Sequence, residues 1–288
     1  MVSKCTVIES QADWLTATCQ HNGDELAFLR LGETLVDREH TSGNKRSGFR
    51  TLGYRGSHAG RASYGCRGDG SIITLSGDLA AIAFDGVCDL ATHISRIDIA
   101  VTAVLDPPIR DIESDAFDEA CAWQGIGGHP PEVELRRYRD GTAALRLGKR
   151  TSDRFMRMYN KAAESGEARY YGAHRYEVET KGGQATTVAR ALRVESARPA
   201  FCASFVHAHC TDRGIVPVFL ASERVNLLPG FRRRSDTDAS LDWLTRAVRP
   251  TVSRVLAQGR TNDLLSALGF GADTRIGLLG KGEKGVDW

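Results

Sequence analysis

In AHRYEVETK, residues 173–181, charge returns at every second position, as Arg175, Glu177, Glu179 and Lys181. A strand sends successive side chains to opposite faces, whereas a helix would scatter the same charges around its circumference. The segment therefore predicts a strand with Tyr176 and Val178 on its other side. Two further stretches behave alike. In ISRIDIAVTAV (94–104), Ile97, Ile99 and Val101 face a core and leave Arg96 and Asp98 on the reverse. In RFMRMYNK (154–161), Phe155, Arg157, Tyr159 and Lys161 point one way, and Met156, Met158 and Asn160 the other. A sheet built from such strands has one apolar face and one charged face.

The rest of the chain supplies the layers such a sheet needs. DWLTATC (13–19) reads as an opening strand, and the glycine-rich stretch 53–77 holds strand-like pieces at 62–66 and 71–75 joined by a GDG turn. VELRRYRDGTAALRLG (133–148) reads as a hairpin on Asp140-Gly141, a two-residue turn signal. Helical patterns cover 78–90, 115–123, 184–192 and 199–209. From 235 onward, helix-starting residues precede apolar positions at Leu241, Leu244 and Val248, and Pro250 kinks that helix or starts another. The expectation is an α+β fold, mainly an antiparallel sheet with helices packed on one face. Its catalytic domain would span 1–230 around a core of 94–181, followed by a helical C-terminal region at 235–288 with a loose tail.

Composition narrows the class. The 288 residues are 41% hydrophobic and 26% charged, as in ordinary globular proteins, which allows a sizeable core. No stretch approaches the roughly 18–20 apolar residues of a membrane helix, and MVSKCTVIESQADW carries charge where a signal peptide needs apolar residues. Seven scattered cysteines without a CxxC pair read as free thiols in a reducing cytoplasm. Net charge is only +2, but its distribution is uneven. Between Arg136 and Lys161 nine Arg or Lys face two acids, and between Thr41 and Ala62 five face none, Lys45 and Arg46 among them. Arg232, Arg233 and Arg234 form a third cluster. Local basic stripes on a near-neutral chain suit a phosphate backbone lying in one groove, and equally a set of solvated faces.

If the charged faces line one groove, Asp98, Glu177 and Glu179 converge near Tyr159, with Arg157 and Lys161 beside it. Carboxylates in that number suit Mg²⁺ or Mn²⁺, hard ions that prefer oxygen ligands. A free phenol ionises near pH ~10, so flanking cations would be needed to favour the phenolate. That is equipment for breaking a DNA strand through a phosphotyrosine ester. Alternating charge on the exposed face of a sheet has a structural explanation too. His207 and His209 form a His–small–His triplet, a metal motif if on a strand, but the segment reads as helix. Tyr170 and Tyr171 are a second candidate pair of nucleophiles.

RIDIAV (96–101), GKRTSDRFMRMYNKAAE (148–164) and HRYEVETK (174–181) resemble, in this order, the signature blocks of the Rep_trans family, the replication initiation factors. Gly148, Arg150, Ser152, Arg154, Phe155, Arg157, Tyr159, Asn160, Lys161 and Glu164 match its pattern G-x-R-x-S-x-R-[FY]-x-R-x-Y-[ND]-K-x-x-E. Arg175, Glu177, Glu179 and Lys181 match a following R-x-E-x-E-x-K strand. DWLTATC and WLTRAVRP are similar to segments of the family's filamentous-phage members.

The resemblance implies a rolling-circle initiator that nicks one origin strand, keeps the 5′ phosphate on Tyr159 and later reseals the strand. It implies metal ligation by Asp98, Glu177 and Glu179, with Mg²⁺ or Mn²⁺ as cofactor. Catalytic support would come from Arg157 and Lys161. DNA contacts would come from Arg150, Ser152, Arg154, Arg175, Lys181, Lys45, Arg46 and Arg232 to Arg234. The implied partners are single-stranded or hairpin origin DNA and a host helicase and polymerase, with a homodimer as one assembly and no membrane. A conjugative relaxase, or a non-catalytic repressor or copy-control protein, are the alternatives. One departure stands out: several members carry a second aspartate where this chain has Thr102.

Overall fold

A computed structural model describes residues 4–20, 24–43, 50–57, 60–68, 70–106, 111–123, 132–195, 197–219, 249–261 and 263. The chain divides into two compact units, Met1–Phe231 and Arg232–Trp288. In the second, the described element is helix α8, Arg249–Ala257, with Pro250 in its first turn, where its missing N–H is unneeded. Lys45, Arg46, Arg232, Arg233, Arg234 and the 241–248 helical pattern lie outside the described residues.

The first unit is one antiparallel sheet with helices. Its strands are β1 (Lys4–Gln20), β2 (Arg38–Gly43), β3 (Arg50–Ser57), β4 (Gly60–Arg67), β5 (Gly70–Gly77), β6 (His93–Asp106), β7 (Val133–Arg137), β8 (Ala143–Leu147), β9 (Arg154–Asn160) and β10 (Ala173–Lys181). They run in the order β2-β3-β4-β5-β1-β6-β10-β9-β8-β7. The helices are α1 (Glu25–Thr34), α2 (Asp78–Ile82), α3 (Phe84–Leu90), α4 (Ile112–Ala122), α5 (Lys161–Ser165), α6 (Gly182–Val194) and α7 (Arg198–Thr211). The expected α+β fold is what forms.

The apolar face follows from the alternation. Ile97, Ile99 and Val101 of β6, Met156 and Met158 of β9 and Tyr176 and Val178 of β10 join one buried cluster. Phe28 of α1, Phe84 of α3, Ala116 of α4, Val188 of α6 and Phe205 of α7 enter the same cluster, whereas α5 buries nothing. Each large side chain removed from water there contributes about 1.5–3 kcal/mol, which fixes strand register because a one-residue slip would expose the set.

Several boundaries differ from the sequence reading. β1 is 17 residues long and starts well before Asp13, with register shifts between Val7 and Glu9, Ala12 and Trp14, and Thr16 and Ala17. These bulges break the period-two pattern that would have revealed it. The helix read at 78–90 is two, parted at Ala83. The β7–β8 turn is wider than two residues: Tyr138 N–H donates to Thr142 O at 2.8 Å, and Gly141 takes the left-handed φ of +81°. Asp140 Oδ1 accepts from Thr142 N–H at 3.0 Å, an Asx turn that competes with the tighter hairpin. The expected helix at 199–209 is α7, and it buries His209 fully. Burial takes that imidazole down to about 3, a neutral side chain packed on Phe205.

Candidate active site on the charged face of the sheet

Pairing between strands sets the charged side chains in rungs. Glu9 of β1, Thr102 of β6, Arg175 of β10, Tyr159 of β9 and Ala144 of β8 form one rung. Gln11, Ala100, Glu177, Arg157 and Arg146 form the next, and Trp14, Asp98, Glu179 and Phe155 the third. Rungs of alternating residues lie on the same face, so acids, cations and the phenol meet there.

This face is buried in its middle. Asp98, Glu177 and Glu179 are at most 3% exposed. They survive burial by pairing, because a buried charge without a partner costs several kcal/mol. Arg96 donates from Nε to Asp98 Oδ1 at 2.8 Å and from Nη2 to Oδ2 at 2.5 Å, and its Nη2 lies 2.8 Å from Glu179 Oε2. Arg157 Nη2 donates to Glu177 Oε1 and lies 3.8 Å from Asp98 Oδ2. Lys181 Nζ is 2.5 Å from Glu179 Oε1. Both Glu179 oxygens are buried and take no well-directed hydrogen bond, so only the charges of Arg96 and Lys181 meet them.

Burial, with Glu177 and Glu179 close by, pushes the Asp98 carboxyl up to about 7 against the pull of Arg96. Burial acts on Glu177 as well, but Arg157 and Arg175 outweigh it and hold that carboxyl below its ordinary value. The three carboxylates therefore crowd one another, and the guanidinium groups neutralise them. Among the described residues, no three Asp, Glu, His or Cys groups stand as a preformed metal site.

Tyr159 is half-buried, and its hydroxyl donates to Glu177 Oε2 at a long 3.4 Å. Burial and the Glu177 carboxylate push the phenol well above its ordinary value, and Arg175 only partly offsets them. The expected phenolate is thus not favoured as the side chains lie. Lys161 is one reason: β9 ends at Asn160, whose side chain caps α5 by accepting from Ala163 N–H, and Lys161 turns away with the helix. Its Nζ lies 2.6 Å from Glu164 Oε2 and 5.3 Å from the centre of the Tyr170 ring.

Other expected DNA contacts take different positions. Arg175 is 2% exposed; it donates to Glu9 Oε2 at 2.8 Å, to Thr102 Oγ1 at 2.9 Å and to Asp13 Oδ1. Arg154 leaves β9 on the opposite face from Arg157 and donates to Gln184 of α6. Ser152 shapes the β8–β9 turn through Lys149 O at 2.6 Å and Arg154 O at 2.5 Å. Arg150 is exposed. Tyr170 is buried and donates to Glu9 Oε1 at 2.5 Å, while Tyr171 is exposed.

Glu9, Asp13, Trp14 and Arg96 were not read as site residues. Asp13 sits in the β1 bulge between Ala12 and Trp14, which turns it toward Arg175. Arg96 also covers the Trp14 ring at 4.5 Å. Arg96 was legible from its place two residues before Asp98; Glu9 and Asp13 were hidden by the bulges. At the Thr102 rung, Glu9 supplies a carboxylate from the neighbouring strand, with Thr102 Oγ1 donating to its Oε2 at 3.1 Å.

No family model and no curated protein matches this chain. Among solved structures, the rolling circle replication initiator protein from Geobacillus stearothermophilus is similar at 16% identity, over 72% of this chain and 84% of that one, with a TM-score of 0.48. No helix among the described residues is long and apolar enough to cross a membrane.

Proposed function

We propose that this chain is a rolling-circle replication initiator, a nickase that cuts one DNA strand at a specific origin through a Tyr159–5′-phosphate ester and later reseals it. The observation that carries the reading is the placement of Tyr159 one rung from Glu177 and Arg157 and two from Asp98 and Glu179, on one face of the β6–β10–β9 ladder.

In the reaction, the Tyr159 oxygen attacks phosphorus, a new P–O bond forms, and the bond to the 3′ oxygen breaks. Glu177 Oε2, the acceptor facing the hydroxyl, takes the phenolic proton, water protonates the departing 3′ oxygen, and the resulting 3′ hydroxyl serves a host polymerase as primer. The ester keeps the bond energy, so the same attack run in reverse by a 3′ hydroxyl reseals the strand. Arg157, leaving Glu177, would hold the phosphate, and Arg175 would orient the phenol from the opposing strand. A host helicase would open the duplex.

Asp98, Glu177 and Glu179 would hold Mg²⁺ or Mn²⁺. The donors are all oxygen, but Arg96 and Lys181 pair with the Glu179 oxygens and Arg157 with Glu177, so a hard cation would fit only once these cations withdraw. When bound, the ion would polarise the phosphodiester. Incubating the full chain with labelled single-stranded origin candidates and Mn²⁺ tests the reading. A covalent adduct on the 5′-phosphate side that is absent in Tyr159→Phe supports it, and cleavage that survives in that variant refutes the nucleophile.

The protonated phenol and the guanidinium-neutralised carboxylates favour a second reading, a non-catalytic DNA-binding repressor or copy-control protein. Tyr159→Phe would then leave its DNA phenotype intact.

A further inference from the structure

Beyond the carboxylate rungs, the same face of β8 and β9 carries two cavities with a shared wall. The first, about 390 Å³, is lined by Tyr159 and Asn160 and by Tyr138 and Asp140 of the β7–β8 turn. The second, about 300 Å³, is lined by Phe155 and by Lys149 and Arg150 of the β8–β9 turn. Arg146 and Arg157 line both. These two arginines face each other across the β8–β9 pairing, and their guanidinium groups form the ridge between the cavities, Arg157 already paired with Glu177 and Arg146 with Glu134.

We infer that this pair of cavities is the track for a single strand of DNA. A phosphate rests on the Arg146–Arg157 ridge and the flanking bases enter the cavities, the one beside Tyr159 stacking on Tyr138. The inference rests on the nicking reading and names where its substrate lies. Two cavities divided by a cationic ridge suit a polymer that alternates ring and phosphate better than one free small molecule. Both volumes fall in the range of ordinary small-ligand sites, about 300–1,000 Å³. Bases can enter them only when unpaired, because a duplex keeps its bases stacked inside.

The residues are suited to exchange. Arg146 is held by Glu134 at 3.2 Å, and Glu134 is 59% exposed, so this ion pair is weak and a phosphate can replace the carboxylate. Tyr138 is 44% exposed, and the Arg136 guanidinium lies 5.5 Å from its ring centre. Sites for single strands combine such aromatic faces with cations. Along β9, same-face residues are about 6.6–6.8 Å apart, so a phosphate on Arg157 lies one step from the Tyr159 oxygen. Tyr138 and Arg146 are thereby positioning residues for the strand, outside the carboxylate site.

The test is fluorescence anisotropy with a labelled oligothymidylate, a blunt duplex and an oligomer of abasic residues, using the full chain. The wild type should prefer the single strand to the duplex. Tyr138→Ala and Arg146→Ala should each weaken that binding by about fivefold or more, the range set by losing one stacked base or one phosphate contact. Tyr138→Phe should restore it, and Tyr138→Ala should have no effect on the abasic strand. Unchanged melting temperatures in the variants establish that they fold. Wild-type affinity in both alanine variants overturns the track; if the Tyr159 adduct still forms, the nicking reading stands alone. A wild-type chain that binds neither single strand nor duplex overturns both.

Discussion

Tyr159 stands directly opposite Arg175 across the β9–β10 ladder, the phenol half-buried and the guanidinium almost wholly enclosed. The cation expected to contact DNA is instead locked in place by Glu9, Asp13 and Thr102. Its positive charge opposes the burial and the Glu177 carboxylate that keep Tyr159 protonated. On the nicking reading, an incoming phosphate would have to displace charge around Glu177 and Arg157 before the phenol could act as nucleophile.

Tyr159→Phe should abolish the DNA adduct while leaving the fold nearly unchanged. The hydroxyl makes only one long hydrogen bond, to Glu177 at 3.4 Å, so its loss should cost under about 1 kcal/mol. Thermal unfolding read beside the adduct assay separates the two effects.

Arg175→Met should be strongly destabilising. It would leave Glu9 and Asp13 without their shared cation, and removing one partner of a buried pair costs about 3–5 kcal/mol. Urea denaturation should show the midpoint falling with little change in slope, well beyond the effect of Arg150→Ala at an exposed position.

The Asp98 carboxyl sits up at about 7 in the folded chain, above its ordinary value near ~4 in the unfolded one. The folded state holds that proton more tightly, so between those two values only the unfolded chain releases it. This group's contribution to stability therefore falls as pH rises across that window. Asp98→Asn should flatten that slope. Melting temperatures of both proteins from pH 4 to 8 would check it, the variant gaining relative to wild type as pH rises.

Chelation with EDTA should stop adduct formation and spare binding of the single strand, and added Mn²⁺ should restore cleavage. Glu179→Gln should raise the Mn²⁺ concentration needed, because it removes one anionic donor while preserving shape. A chain whose adduct forms equally well in EDTA would remove the metal from the reading.

Gly53 sits at a close approach: a Cβ there would clash with the Tyr64 ring and meet Val36 at 2.7 Å. Gly53→Ala should lower the melting temperature by several degrees while leaving adduct formation intact at low temperature, as calorimetry and the nicking assay would show.

The alternation in 94–104, 154–161 and 173–181 determined the strands, which face of each is apolar, and the α+β class, because period two is a local property of the chain. It also placed Asp98, Tyr159, Glu177 and Glu179 on the charged side. Register, burial and partners were decided only by tertiary structure. β10 inserts between β6 and β9, and β1 adds Glu9 and Asp13 through bulges that erase their periodicity. No local pattern reports that insertion, so Arg175 and Lys161 looked like free cations although one is enclosed and the other leaves with α5. The electrostatics of the phenol followed from that enclosure: burial removes the water that would stabilise a phenolate, and flanking charge in the sequence says nothing about how much water remains.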